Sequence, residues 1–65
     1  MLREYDVVRL EAGSEAVPVP PGTEGTVLMI FPDTPPAYLV EFLDEAGESL
    51  GTFTLRDADL TKVPA

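Results

Sequence analysis

Turn signals divide this chain into five short β-rich runs, and none of the runs has the apolar spacing of a helix. The first run is Tyr5-Asp6-Val7-Val8-Arg9-Leu10, and the second is Gly25-Thr26-Val27-Leu28-Met29-Ile30-Phe31. Between them residues 11–23 are polar and proline-rich, with Val17-Pro18-Val19-Pro20-Pro21-Gly22 reading as an ordered loop. Pro32-Asp33-Thr34-Pro35-Pro36 closes the second run. In the third, Ala37-Tyr38-Leu39-Val40-Glu41-Phe42-Leu43, alternation assigns Tyr38, Val40 and Phe42 to the core. Asp44-Glu45-Ala46-Gly47-Glu48 is then a hairpin turn, with Gly47 supplying a positive φ. In the fourth run, Ser49-Leu50-Gly51-Thr52-Phe53-Thr54-Leu55, Leu50 and Phe53 have opposite parity about Gly51, which predicts a bulge or bend. Arg56-Asp57-Ala58-Asp59 reads as one helical turn before a closing strand, Leu60-Thr61-Lys62-Val63.

Sixty-five residues make a single domain, 1–65, with a thin core. The chain has no cysteine and no histidine, so neither a disulfide framework nor the usual zinc sites can brace it. Stability must come from apolar packing, from the sheet closing on itself, or from a partner. The predicted fold is all-β, a small five-stranded SH3-like barrel with one short helical turn before the last strand, because curling removes edges that a flat sheet would expose. The expected core is Val8, Leu10, Val27, Ile30, Tyr38, Val40, Phe42, Phe53, Leu55 and Leu60.

The net charge is −8, and Arg3, Arg9, Arg56 and Lys62 are scattered singly. Nucleic-acid binders neutralise phosphates with clustered cations, so direct contact with nucleic acid or an anionic membrane surface is not expected. A basic protein partner is allowed, and attraction to it would be long-ranged and salt-sensitive. The longest apolar run, residues 27–32, is far too short to span a membrane, and the first residues lack the apolar core of a signal peptide, so a cytoplasmic location is the expectation.

The opening Tyr5-Asp6-Val7-Val8-Arg9-Leu10, Gly22-Thr23-Glu24-Gly25-Thr26-Val27, Ala37-Tyr38-Leu39-Val40-Glu41-Phe42 and the acidic turn at Gly47 together resemble a family of short bacterial proteins, a domain of unknown function that usually stands alone. The resemblance runs from Tyr5 to Leu60 and implies an SH3-like barrel; it brings no activity and no active-site residues. The Gly22-x-x-Gly25-Thr26-Val27 piece is also similar to the KOW element of ribosomal and transcription proteins, and to SH3-like subunits of photosynthetic complexes and of nitrile hydratase. In each, the glycines are expected to let the chain turn tightly into the second strand. The acidic loops here depart from the usually basic loops of KOW modules.

Candidate chemistry is sparse. Ser14 and Ser49 have no histidine to activate them, and no thiol is present. Asp44, Glu45 and Glu48, with Glu41 at the hairpin base, form either a solubilising turn or a docking patch for a basic surface, and their spacing does not match a calcium loop. Tyr5, Phe31 and Tyr38 are candidates for a peptide groove, although Tyr38 has core parity. Pro18, Pro20, Pro21, Pro35 and Pro36 stiffen loops in preference to forming a polyproline ligand. Residues 28–31 cannot all face inward, so Leu28 and Ile30 offer an apolar contact face for a partner or a homodimer.

The leading expectation is a non-enzymatic protein-binding module, an acidic accessory or inhibitor of antitoxin or immunity type for a basic protein. Its partner-binding residues are Glu41, Asp44, Glu45, Glu48, Leu28 and Ile30. No cofactor, no metal and no catalytic residue is assigned. The alternative is a structural subunit of a larger enzyme or photosynthetic assembly; a third reading is KOW-like contact with RNA or the ribosome.

Overall fold

Alternation in the third run produces a strand whose inward side chains are completely buried. A computed structural model of the chain describes residues 2–12 and 17–64. The elements are β1 (Val7–Leu10), β2 (Glu24–Phe31), β3 (Ala37–Leu43), β4 (Ser49–Arg56), a 3-10 turn (Asp57–Asp59) and β5 (Leu60–Lys62). All neighbouring strands are antiparallel in one sheet of order β4-β3-β2-β1-β5. The hydrogen-bonded order therefore has two ends, β4 and β5, joined in sequence by the 3-10 turn. Among the described residues no helix is long and apolar enough to cross a membrane.

Eight of the ten expected core residues are buried: Val8, Leu10, Val27, Tyr38, Val40, Phe42, Leu55 and Leu60. Ile30 and Phe53 pack against this cluster but keep partial exposure. Leu2, before β1, and Val19, in the proline-rich loop, join the core from outside the sheet. A thin sheet of this size leaves apolar surface that loops must cover, and these two side chains help to do so.

One row across the sheet explains both glycines beside Phe42. Val8 pairs with Gly25, Gly25 with Phe42, and Phe42 with Gly51. A Cβ on Gly25 would lie 2.7 Å from the Glu41 carbonyl oxygen and 2.9 Å from both the Phe42 ring and a Val40 methyl. Gly25 thus serves close packing, which corrects the expectation that it turns the chain. The turn belongs to Gly22, with φ +85° and its N–H donated to the Leu10 carbonyl at 2.8 Å.

Two bulges set which side chains face out. Pairing passes from Val27–Val40 directly to Met29–Leu39, so Leu28 is the extra residue. The inward parity of β2 shifts by one there, placing Ile30 opposite buried Tyr38 and leaving Met29 49% exposed. In β4 the register passes from Phe42–Gly51 to Leu43–Ser49, and Leu50 bulges out as the parity conflict predicts. Gly51 has φ +118°, and its N–H donates to Ser49 Oγ at 3.2 Å.

Tyr5 adopts φ +67° and is 72% exposed. Its N–H donates to the Val27 carbonyl at 2.6 Å, which holds the segment before β1 against β2. The Thr34–Pro35 peptide is cis, and the Arg56 guanidinium donates to the Pro35 carbonyl.

Candidate functional site

Asp44 organises the acidic hairpin. Its Oδ1 accepts the N–H groups of Ala46 and Glu48, each at 2.9 Å. Its backbone N–H donates to the Glu48 carbonyl at 2.9 Å, and Gly47, at φ +83°, donates to the Asp44 carbonyl at 3.0 Å. This carboxylate shapes the turn as well as charging it. Across from the hairpin, Thr23 Oγ1 and its N–H both donate to the Pro20 carbonyl, at 2.6 and 3.2 Å. That compact turn delivers the chain into β2 at Glu24.

Between these two turns lies an open groove of about 670 Å³. Residues 20–24 form one wall, and Leu43, Asp44, Glu45 and Leu50 form the other. A smaller concavity of about 320 Å³ adjoins it and adds Val7, Gly25, Thr26 and Gly47. The two share Glu24, Leu43, Asp44 and Glu45. Five large apolar residues are exposed among those described, and three of them, Val7, Leu43 and Leu50, line these two concavities. Apolar side chains left in water inside a concave surface mark a contact site better than scattered ones do.

The rim is anionic. Glu24 Oε2 lies 3.3 Å from Arg9 Nη2, an exposed pair that only partly offsets its charge. Glu45 has no hydrogen-bond or ion-pair partner among the described residues. A cationic group entering here meets two or three carboxylates within reach of an apolar floor.

The sequence-predicted residues divide between several places. Asp44 and Glu45 line the groove. Glu48 remains on the hairpin turn, exposed and outside both concavities. Glu41 is half-buried and accepts a hydrogen bond from Ser49 Oγ at 3.0 Å, away from the groove. Leu28 forms the β2 bulge and Ile30 follows it, both half-buried, with Ile30 packed on the core. The structure does not bring this pair together with the hairpin acids in either concavity. Glu24, Leu43, Leu50 and Val7 were missed. Leu43 could have been found from the parity that put Phe42 inside, and Leu50 from the bulge; Glu24 needed the β2–β3 register.

Of the proposed aromatic groove, Tyr38 is fully buried, Phe31 half-buried and Tyr5 exposed, so the three do not share a surface. The Tyr38 hydroxyl is buried with no partner in hydrogen-bond geometry. Its pKa is raised, first by burial and then by the Asp57 carboxylate facing it, while the Leu2 backbone acts in the opposite sense. Ser49 Oγ is engaged by Glu41 and Gly51, and Ser14 lies outside the described residues. Among the described residues no group of three or more metal-ligating side chains converges.

Fold and surface together define a small acidic all-β domain with an amphipathic groove beside its acidic hairpin. The chain belongs to a family described as a domain of unknown function, DUF4926, whose family model matches residues 4–62. No curated protein and no solved structure matches it.

Proposed function

We propose that this domain is a non-enzymatic protein-binding module, SH3-like in its curled sheet, which docks a basic segment of a partner protein in the groove between residues 20–24 and the 43–50 hairpin. One observation carries the reading: Leu43 and Leu50 stay exposed in a concavity rimmed by Glu24, Asp44 and Glu45, in a chain of net charge −8. Burying those side chains under a partner supplies non-directional affinity at roughly 25 cal/mol per Å². The carboxylates select for cations and speed encounter. A contact of this size belongs to the weak, transient class, with a Kd on the order of micromolar. An accessory or inhibitory role in the cytoplasm, shielding a basic surface of the partner, suits the charge.

Probing immobilised 15-residue peptides of varied composition with the labelled domain tests this reading. The bound set should be rich in Lys and Arg with interspersed apolar residues, and raising salt from 50 to 500 mM should strip most of it. A bound set that is acidic, or indifferent to salt, overturns the reading.

A second reading has its own observation. Met29 projects outward beyond the β2 bulge beside half-buried Leu39, an apolar pair that lines neither of the concavities beside the acidic hairpin. It favours packing as a subunit of a larger assembly. Met29→Lys would abolish assembly and leave cationic-peptide binding intact if this face is the contact.

A further inference from the structure

The outer edge of β4 is the least defended element of the fold. β4 stands at one end of the sheet and pairs with β3 alone. It runs for eight residues, against three for β5 at the other end. In an antiparallel strand half of the backbone N–H and C=O groups point away from its single neighbour. Among the described residues, no loop, cap or side-chain hydrogen bond reaches the backbone of Thr52, Phe53, Thr54 or Leu55. Natural edges are usually blunted by lysine, proline, bulges or shortness. Here the bulge at Leu50 disrupts only the first turn of the strand, and the stretch after it carries no charge before Arg56.

Burial tells the same story from the side chains. Phe53 pairs with fully buried Val40 and points to the same inner face, yet is only partly buried. Core-facing residues one strand further in, Tyr38, Val40 and Phe42, are sealed; on β4 itself Leu55 is sealed as well, and Phe53 is the inward side chain left partly open. The groove described above begins at this edge, since Leu50 of β4 forms part of its wall.

We propose that β4 accepts an extended cationic segment of the partner as a sixth, added strand, with an apolar side chain of that segment covering Phe53. This rests on the docking reading given under Proposed function and says how the partner is held there. Main-chain pairing would supply affinity and alternate side chains specificity. Charge selects a foreign strand over a second copy: two chains of −8 repel one another, whereas lysines flanking the added strand would meet Glu45 and Glu48 at the hairpin end of β4.

The test uses a synthetic octapeptide of alternating lysine and valine, and two versions N-methylated at every lysine or at every valine. An added strand uses the N–H groups of one alternate set only. One methylated peptide should therefore bind about tenfold or more weakly, the loss expected when edge bonds worth about 1.4 kcal/mol in total are removed, and the other within about threefold of the parent. In the parent complex, amide exchange at residues 52–55 should slow. Equal binding of all three peptides, with protection confined to residues 43–45, overturns strand addition and leaves the groove reading standing. Failure of every peptide to bind at 20 mM salt overturns both. Slowing at residues 52–55 that appears with protein concentration alone assigns the edge to a second copy and also overturns the proposal.

Discussion

The ring of Phe53 lies 6.2 Å from that of Phe42, tilted by 43°, and the two differ sharply in surroundings. Phe42 is completely buried between Gly25 and Gly51 on neighbouring strands, while Phe53, at the sheet edge, is only partly buried. Truncating each should separate core from edge. Phe42→Ala removes a sealed ring and costs about 3–5 kcal/mol. A domain of this size holds only about 3–10 kcal/mol in all, so that variant is largely unfolded. Phe53→Ala costs less, about 2 kcal/mol, because its ring is only partly buried. Urea unfolding followed by circular dichroism reads both.

Gly25→Ala is the smallest change with a large expected effect. The new Cβ would meet the Glu41 carbonyl oxygen at 2.7 Å, and backbone in the middle of a two-sided ladder cannot retreat. Overpacking of this kind costs about 1–3 kcal/mol or more. At Gly22 and Gly47 nothing lies within 4 Å, so alanine there meets only the strain of positive φ, about 1 kcal/mol. The order of midpoints in a denaturant series checks the contrast.

Tyr38 makes stability sensitive to alkali. Its folded pKa is raised, so the neutral phenol is favoured in the fold and its contribution is complete below the unfolded value near 10. Above that pH the unfolded chain ionises while the folded one resists, and stability falls as pH climbs toward the raised folded value. Tyr38→Phe removes both the ionisation and an unpartnered hydroxyl. At pH 7 it should match or exceed the parent by up to about 1 kcal/mol. Between pH 9 and pH 11 it should lose less stability than the parent does. An equal loss in both would show that another group carries the alkaline transition.

Shape and charge in the hairpin come apart by mutation. Asp44→Ala deletes an acceptor of two backbone N–H groups and costs about 1 kcal/mol or somewhat more. Glu45→Gln touches no partner among the described residues and should leave stability within about 0.5 kcal/mol. Both should weaken cationic-peptide binding. Thermal unfolding and peptide titration on the same pair of variants distinguish the two roles.

Strand placement and most of the core were legible because alternation and turn chemistry are local. The residues between Ala37 and Leu43 carry their own parity, and Gly47 announces its turn. Leu28 was not legible as a bulge, since an apolar run hides the point where the period slips by one, and with it went the outward placement of Met29. Val19 lay in a segment whose prolines mark a loop, and nothing local says that a loop residue will be drawn into a thin core. Half of the site followed the same rule. Asp44 and Glu45 stand on one hairpin, whereas Glu24 joins them only through pairing between β2 and β3. Non-local register is what a single pass along the chain cannot supply.

The most direct measurement is a nuclear magnetic resonance titration of the isotope-labelled domain with the unmodified lysine–valine octapeptide, at 50 and at 500 mM salt. At low salt the amide shifts of Glu24, Leu43, Glu45 and Leu50 should move together and saturate, and at high salt the movement should largely vanish. Shifts confined to Met29 and Leu39, or no shifts at either salt, would contradict an acidic docking groove.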